Sequence, residues 1–587
     1  MNERISLTMI VRNESAHLVA CLESVKDAVD EIIIVDTGST DDTVRIAQRY
    51  TPYVYKFPWN NDFSSARNFA IEHASGDWIL AMDADEEIDC QDPFCLHSLL
   101  NKENDKEAFL LPLYNPISDS TEEFNTFYVL RLFRNNERHH YVGKIHEQIS
   151  LPDQQKVGLA TGPILKHKSL PLKIRHQKRN RNLLLLKNSF QEDPNNPFLD
   201  YYLGVEWLML GKAGYALPFL QKAYQTLTDD NLLFRTPALK YLLISLRMLG
   251  RLDEALSLCL EASLNYPTFT DIFYLGGLLL EEKEEYHIAL KWFKQAINCG
   301  TPPALFSHQT GSGSFLSHYH LGFCYERIGN STAARGAYES ALELNPKYPY
   351  PLYSLFLNLR NEKGPCFCFQ HLEEQGFLQD LLLCITTADL FFLSDHVDLA
   401  YRCLEIHKGV VHDDERFLYF YGKYCIYSGR ATAGLEALTK INRQSSYYPP
   451  GQILSLVALI HLGDFFKAES LAVTLWKSVS TRCEATVFLS LIRFMQKHTI
   501  PPCQNKVRGK ETLSFIHELF LDCKRYRSNI DKNFNPLVNT WYQGLEILMK
   551  SSERGFDLML KDFTQQIQDY NNCFAAKFKN GWVNDEY

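Results

Sequence analysis

The chain is predicted to carry two architectures in series: an α/β domain with a mostly parallel, Rossmann-like sheet, then an all-α solenoid of paired helices. Three observations predict it. In the first hundred or so residues, β-branched apolar runs alternate with helical patterns at the spacing of βαβ units. Two of those runs end in acidic turns, Asp36-Thr37-Gly38 and Asp83-Ala84-Asp85. From about residue 200 onward, small and bulky residues recur at the intervals of helix-pair repeats.

Residues 5–11 are apolar enough for a buried strand, and Asn13-Glu14-Ser15 breaks it before a helical pattern over 17–25. A second strand, 31–35 (EIIIV), is continuous and β-branched, as a parallel strand covered on both faces should be. It ends in Asp36, Gly38 for a sharp turn, and Ser39, Thr40 or Asp41 as candidate caps for a helix over 43–49. A third strand is expected over 53–57, a helix over 65–74, and a fourth strand over 78–82, after which stand Asp83 and Asp85. In open α/β sheets ligands bind at the carboxyl ends of the strands. An acid there accepts hydrogen bonds from a base or ribose, and two acids one residue apart suit a hard divalent cation that shares its ligands with phosphates. Each motif alone also reads as an ordinary turn or solvated acidic corner. Neither GxGxxG nor a P-loop is present, which argues against a dinucleotide dehydrogenase and an ordinary ATPase.

Together the segments Asn13-Glu14, 35–43 (VDTGSTDDT), 65–68 (SARN), 75–86 (SGDWILAMDADE), 131–134 (RLFR) and 141–147 (YVGKIHE) resemble a family 2 glycosyltransferase of the GT-A fold. With the helical repeats behind them, the arrangement is similar to bacterial family 2 enzymes that carry tetratricopeptide repeats, among them the sublancin-type peptide S-glycosyltransferases. The resemblance implies a nucleotide-sugar donor, a UDP-sugar first, bound across the sheet edge. Asp36 would contact base or ribose, with Asn13, Glu14 and Arg67 shaping that pocket. Asp83 would face the ribose or the metal, and Asp85 would bind the Mn²⁺ or Mg²⁺ that bridges the diphosphate. Glu147 is the implied general base, with Asp119, Glu122 and Glu123 as the alternatives. His167 stands where such enzymes tend to carry His-x-Gly-Tyr, and is either a further metal or phosphate contact or a structural or solvent-exposed histidine; the sequence here departs to His167-Lys168-Ser169-Leu170.

Between 166 and 187 lie eight lysines and arginines and no acid. The stretch reads as a linker helix with a solvated basic face, or as one whose Arg179 or Arg181 reaches the diphosphate. The tetratricopeptide pattern then begins at Leu203-Gly204, with Trp207, Ala216, Leu220 and Ala223. It returns around Leu243, Gly277 and Gly322, and a Pro/Gly/Ser-rich loop fills 301–314. The expected domains are 1–165 catalytic, 166–196 linker helix, 197–350 repeats, and 351–587 degenerate repeats with capping helices, 495–509 being a loop. Such repeats must stack, and their concave face suits a peptide or protein acceptor or a homodimer partner. All donor contacts are expected upstream of Pro194.

A length of 587 residues exceeds one ordinary core. Sixty basic against seventy acidic residues give no sequence-wide case for nucleic acid. No run is long and apolar enough to span a membrane, 381–393 being broken by Thr386, Thr387 and Asp389, and no signal-peptide pattern opens the chain, so a cytoplasmic protein is expected. The fifteen cysteines lack zinc spacing and read as buried reduced thiols. The leading function is metal-dependent, inverting transfer of a sugar to a peptide or protein. Its rivals are transfer to an envelope polysaccharide or lipid carrier, and an inactive domain serving as a scaffold.

Overall fold

The computed structural model describes residues 3–550 except 91, 104, 119–122, 152–155, 412, 498–509 and 530–535. Asp119 and Glu122, and most of the loop expected over 495–509, thus lie outside the described residues.

The chain divides into two compact units, one of them Met1–Ala337 and the other Tyr338–Lys579. The first begins with strands β1 (Ile5–Val11), β2 (Glu31–Asp36), β3 (Val54–Lys56) and β4 (Trp78–Ala81), interleaved with helices α1 (Leu18–Val25), α2 (Thr43–Ala47) and α3 (Phe63–Glu72). These follow the sequence pattern closely because each strand is a short apolar run buried on both faces: Ile5, Leu7, Ile33, Ile34, Val35, Trp78, Ile79 and Leu80 are fully buried. β5 (Glu86–Asp89), α4 (Cys95–Lys102), the long strands β6 (Ala108–Ser118) and β7 (Glu123–Arg134), then β8 (Tyr141–Val142), β9 (Gln148–Ile149), β10 (Val157–Leu159) and β11 (Ile164–His167) follow.

The order β3-β2-β1-β4 is parallel, but β4 meets β7 antiparallel, and the path continues β7-β6-β11-β5 with both β6·β7 and β11·β5 antiparallel. The sheet is therefore mixed where a mostly parallel one is expected. Its second half is built on a hairpin, and strands joined by a hairpin must run antiparallel.

α5 (Leu172–Glu192) carries the basic stretch and leads into the pairs α6 (Pro197–Met209) and α7 (Ala213–Thr226), α8 (Leu232–Met248) and α9 (Leu252–Asn265), α10 (Thr270–Glu282) and α11 (Tyr286–Cys299). α12 (Phe315–Arg327) and α13 (Ser331–Leu344) follow. The tetratricopeptide positions do what the pattern demands. A Cβ on Gly204 would stand 2.5 Å from the Leu220 side chain, so only glycine lets α6 and α7 approach this closely. Ala255, Cys259, Ala262, Ala289, Phe293 and Ala296 are all fully buried.

The loop expected over 301–314 holds a strand, β12 (His308–Gln309), which pairs antiparallel with β7 at Thr126 and Asn125. Beneath it the Asp271 carboxylate accepts from Lys240 Nζ at 2.6 Å, Ser312 Oγ at 2.7 Å and the Gln309 amide at 3.0 Å, while Lys240 also donates to Asn125 Oδ1 at 3.0 Å. The repeats thus contribute a strand and a buried ion pair to the N-terminal sheet.

In the second unit, described helices run from Tyr350–Lys363 to Pro536–Lys550. Its core includes Phe391, Tyr424, Tyr427 and Trp541, all buried, with His461 stacked on Tyr526 at 4.4 Å between ring centroids. Among the described residues no helix is long and apolar enough to cross a membrane. Most described cysteines are free and buried, but Cys90 and Cys95 form a disulfide. That corrects the expectation of reduced thiols throughout: the β5–α4 turn brings two cysteines five residues apart face to face.

Candidate active site

The two acidic turns lie side by side because β1 separates β2 from β4, with Val11 opposite Asp36 and Thr8 opposite Ala81. In the first turn the Asp36 carboxylate is 5% exposed as a residue and accepts from the amides of Gly38 and Ser39 at 3.2 and 3.0 Å. Gly38 has φ +106°, which a side chain would strain. Asn13, itself at φ 56°, ties the neighbouring loop in by accepting from the Thr40 amide at 2.7 Å. None of the proposed caps sits at the N-cap of α2, which is Asp42 without a side-chain cap hydrogen bond; Asp41, one residue earlier, accepts from Thr43 N at 3.0 Å. Burial pushes its carboxyl up, but hydrogen bonds from Thr43 and Ser15 win and hold it at about 2.

The second turn carries a buried charged cluster. Asp83 Oδ1 accepts from Arg67 Nη2 on α3 at 2.6 Å, and Oδ2 from Arg131 Nη2 on β7 at 2.8 Å. Arg67 reaches on through Nε to Glu147 Oε1 at 2.5 Å, and Arg131 to Glu86 Oε1 at 2.6 Å. Burial alone would raise the Asp83 carboxyl, yet the two guanidiniums hold it well below the usual carboxylate range. Glu86, 1% exposed, is pushed up by burial.

A second cluster faces the same space. Asp85, with its side chain 10% exposed, lies 2.9 Å from Lys178 Nζ on α5 and 3.6 Å from His167 Nε2 at the end of β11. Lys178 also reaches Glu14 Oε1 at 3.4 Å. Burial raises the Glu14 carboxyl against the pull of that lysine. Among the described residues no three His, Cys, Asp or Glu side chains form a ready metal cage.

Both clusters line one cavity of about 1090 Å³. Of the residues singled out in the sequence, Glu14, Arg67, Asp83, Asp85, Glu147 and His167 are brought together in its walls. Asn13 and Asp36 are not among the lining residues; they brace the loops that carry Glu14 and Thr37. Arg179 instead pairs with Glu206 of α6 at 3.1 Å, whereas Arg181 does line the cavity. The opposite wall comes from the repeats, including Tyr201, Tyr202, Asp230, Phe234 and Leu305, so the cavity does not end upstream of Pro194. Sequence reasoning missed Lys178, Arg131, Glu86 and Tyr202. The RLFR motif marked Arg131 without a role, and nothing distinguished Lys178 from its seven basic neighbours.

The "Glycosyl transferase family 2" family matches residues 6–150. The N-terminal domain is a family 2 glycosyltransferase domain. The match includes Asp83, Asp85 and Glu147 and stops before His167 and Lys178. Over 248 residues the chain is 33% identical to the SPbeta prophage-derived glycosyltransferase SunS of Bacillus subtilis, spanning 37% of this chain and 53% of that one. It is 54% identical over 85 residues to a TPR repeat-containing protein of Synechococcus elongatus, 14% of this chain and 21% of that one. An uncharacterized glycosyltransferase of Rickettsia felis is 44% identical over 86 residues, 15% and 30% of the two chains. The chain thus spans between about a fifth and about half the length of these curated relatives. The crystal structure of MamA aligns at 20% identity over 29% of this chain and 85% of that one, with a TM-score of 0.24.

Proposed function

We propose that this chain transfers a sugar from a nucleotide-sugar donor, a UDP-sugar first, to a peptide or protein acceptor, with inversion at the sugar carbon. The observation that carries the reading is the shared cavity: the Asp85 and Glu147 clusters of the family 2 domain face one space whose far wall belongs to the first repeats. Donor and acceptor would meet between them, and stacked helical repeats commonly hold extended chains.

The residues present fit a divalent cation. Asp85 offers a carboxylate oxygen and His167 a ring nitrogen 3.6 Å from it, and the Lys178 ammonium already stands where positive charge is favoured. Asp85 and His167 would hold Mn²⁺ or Mg²⁺, with the donor's diphosphate supplying further oxygens. Such a cation offsets the charge that develops on the departing nucleoside diphosphate. Glu147 accepts the proton of the acceptor hydroxyl or thiol as that atom bonds to the sugar carbon and the bond to the diphosphate breaks. Arg67 fixes the carboxylate orientation of both Glu147 and Asp83 through its two hydrogen bonds. Tyr128, Tyr141 and Tyr202 line the same space and limit the water that competes with the acceptor.

The test is a donor panel. Full-length protein with Mn²⁺ or Mg²⁺ and a series of nucleotide sugars should release nucleoside diphosphate from one or a few of them. Silence across the panel, with and without peptides, would favour an inactive scaffold.

A further inference from the structure

Lys178 is a charged group of the cavity to which the mechanism above gives no step. It comes from α5, beyond the matched residues 6–150, and its side chain is 34% exposed toward a space that it lines. Its ammonium lies 2.9 Å from Asp85 Oδ2 and 3.4 Å from Glu14 Oε1, between two carboxylates of different turns. His167 approaches the same Asp85 oxygen at 3.6 Å. Two groups, Lys178 and His167, therefore converge on one carboxylate, and a divalent cation held by Asp85 and His167 would exclude the lysine by charge.

Lysine is suited to such a place. It is a compact point charge on a flexible four-carbon stem, and it binds phosphate without needing a fixed plane. Burial would lower the lysine's proton affinity, but Asp85 and Glu14 together raise it, so the group stays cationic. A side chain a third exposed can also move at little cost. By contrast Arg67 and Arg131, with side chains 9% and 14% exposed, are held in place by two carboxylates each.

We propose that Lys178 is the resident counter-ion of Asp85 before donor binds, and that it moves onto the donor diphosphate when a divalent cation takes its place beside Asp85 and His167. The proposal rests on the nucleotide-sugar reading and adds a residue and an exchange to it. In the donor-free protein the lysine offsets part of the charge of two facing carboxylates, and in the loaded protein it adds a second positive charge to the leaving group. Glu14, still beside the lysine stem, keeps it within reach.

The exchange gives one substitution two effects of opposite sign. Lys178→Ala should bind Mn²⁺ alone more tightly than wild type by roughly tenfold, because a competing unit charge about 3 Å from the ligand oxygen is gone. With saturating Mn²⁺, the same variant should bind UDP roughly tenfold more weakly. Free Mn²⁺ is read by electron paramagnetic resonance and UDP by calorimetry, both on the full chain. Lys178→Arg should keep UDP affinity within a few fold, and unchanged melting temperatures show that the fold survives. If Lys178→Ala weakens both ligands, leaves Mn²⁺ affinity unchanged or leaves UDP affinity unchanged, the exchange is overturned. Wild-type protein that binds no UDP, GDP or other nucleoside diphosphate overturns the donor reading itself, which separates that failure from a failure of the lysine alone.

Discussion

Tyr202 of the first repeat helix lies flat on His146, their ring centroids 3.9 Å apart and their planes within 4°. His146 holds a left-handed backbone, φ 51°, immediately before Glu147. A non-glycine residue in that conformation persists only where its surroundings fix it. Glu206, one turn further along α6, approaches the same imidazole at 3.7 Å. The residue before the proposed base is therefore packed against a helix outside the matched residues. Replacing Tyr202 with Ala should lower stability by about 2 kcal/mol. It should also lower kcat for donor hydrolysis by roughly tenfold or more, with donor KM held within about threefold. Tyr202→Phe keeps the stack and should restore kcat. Parallel loss of kcat and donor affinity in the Ala variant would show that Tyr202 only supports the fold.

The join at β12 makes a separate prediction. Lys240 and Asp271 have side chains 9% and 1% exposed, and Asp271 also accepts from Ser312 and Gln309. Asp271→Asn leaves the ammonium without a charged partner in a buried place, a change that typically costs about 3–5 kcal/mol. Thermal melting of the full chain should show the first unit losing stability, with protease cutting appearing near the 301–314 loop. Melting equal to wild type would mean that the strand pairing alone holds the join.

Metal dependence is tested at Asp85. Asp85→Asn keeps the size of the side chain but removes the charge that Lys178 and a cation would share. UDP titrations with and without Mn²⁺ should then differ by less than about threefold in the variant, whereas Mn²⁺ should strengthen UDP binding by roughly tenfold or more in wild type. Equal metal dependence in both proteins removes Asp85 from the site.

Much of this site is legible in the sequence, and the omissions have physical reasons. The strands β1, β2 and β4 are found to within a residue because a buried parallel strand is a continuous apolar run with an abrupt polar end. Asp83, Asp85, Arg67 and Glu147, all named from motifs, line one cavity. Asp36 is different. At a strand end it has the chemistry to meet a ligand, and it also accepts from the amides of Gly38 and Ser39, a backbone conformation that cannot be read from residue types. Lys178 is hidden by its own composition, since a helix of closely spaced cations has no letter that says which one faces a carboxylate. β12 is two residues long and has no periodicity to detect.

In the second unit, burial lowers the pKa of His461 to about 3. The unfolded chain takes up a proton below about 6.5, while the folded chain does not until about 3. The stability from this group is therefore complete above pH 6.5 and is lost as pH falls toward 3, at roughly 1.4 kcal/mol per unit. Between pH 7 and 5 this amounts to about 2 kcal/mol. Replacing His461 with Phe should flatten the melting temperature of the second unit against pH over that interval. A variant as acid-sensitive as wild type would place the titration elsewhere.

Steady-state release of UDP from the preferred nucleotide sugar, measured in wild type and Glu147→Gln with donor affinity measured alongside, tests the catalytic assignment most directly. Gln is nearly the size of Glu and can still accept from Arg67, so the fold and the donor site should survive. A base acts only in the transfer step. The variant should keep donor affinity within about threefold and lose roughly a hundredfold to ten-thousandfold in turnover to a hydroxyl acceptor. Turnover equal to wild type on that acceptor would contradict the role given to Glu147, and with it the reading of the Glu147–Arg67–Asp83 chain as the reacting side of the cavity.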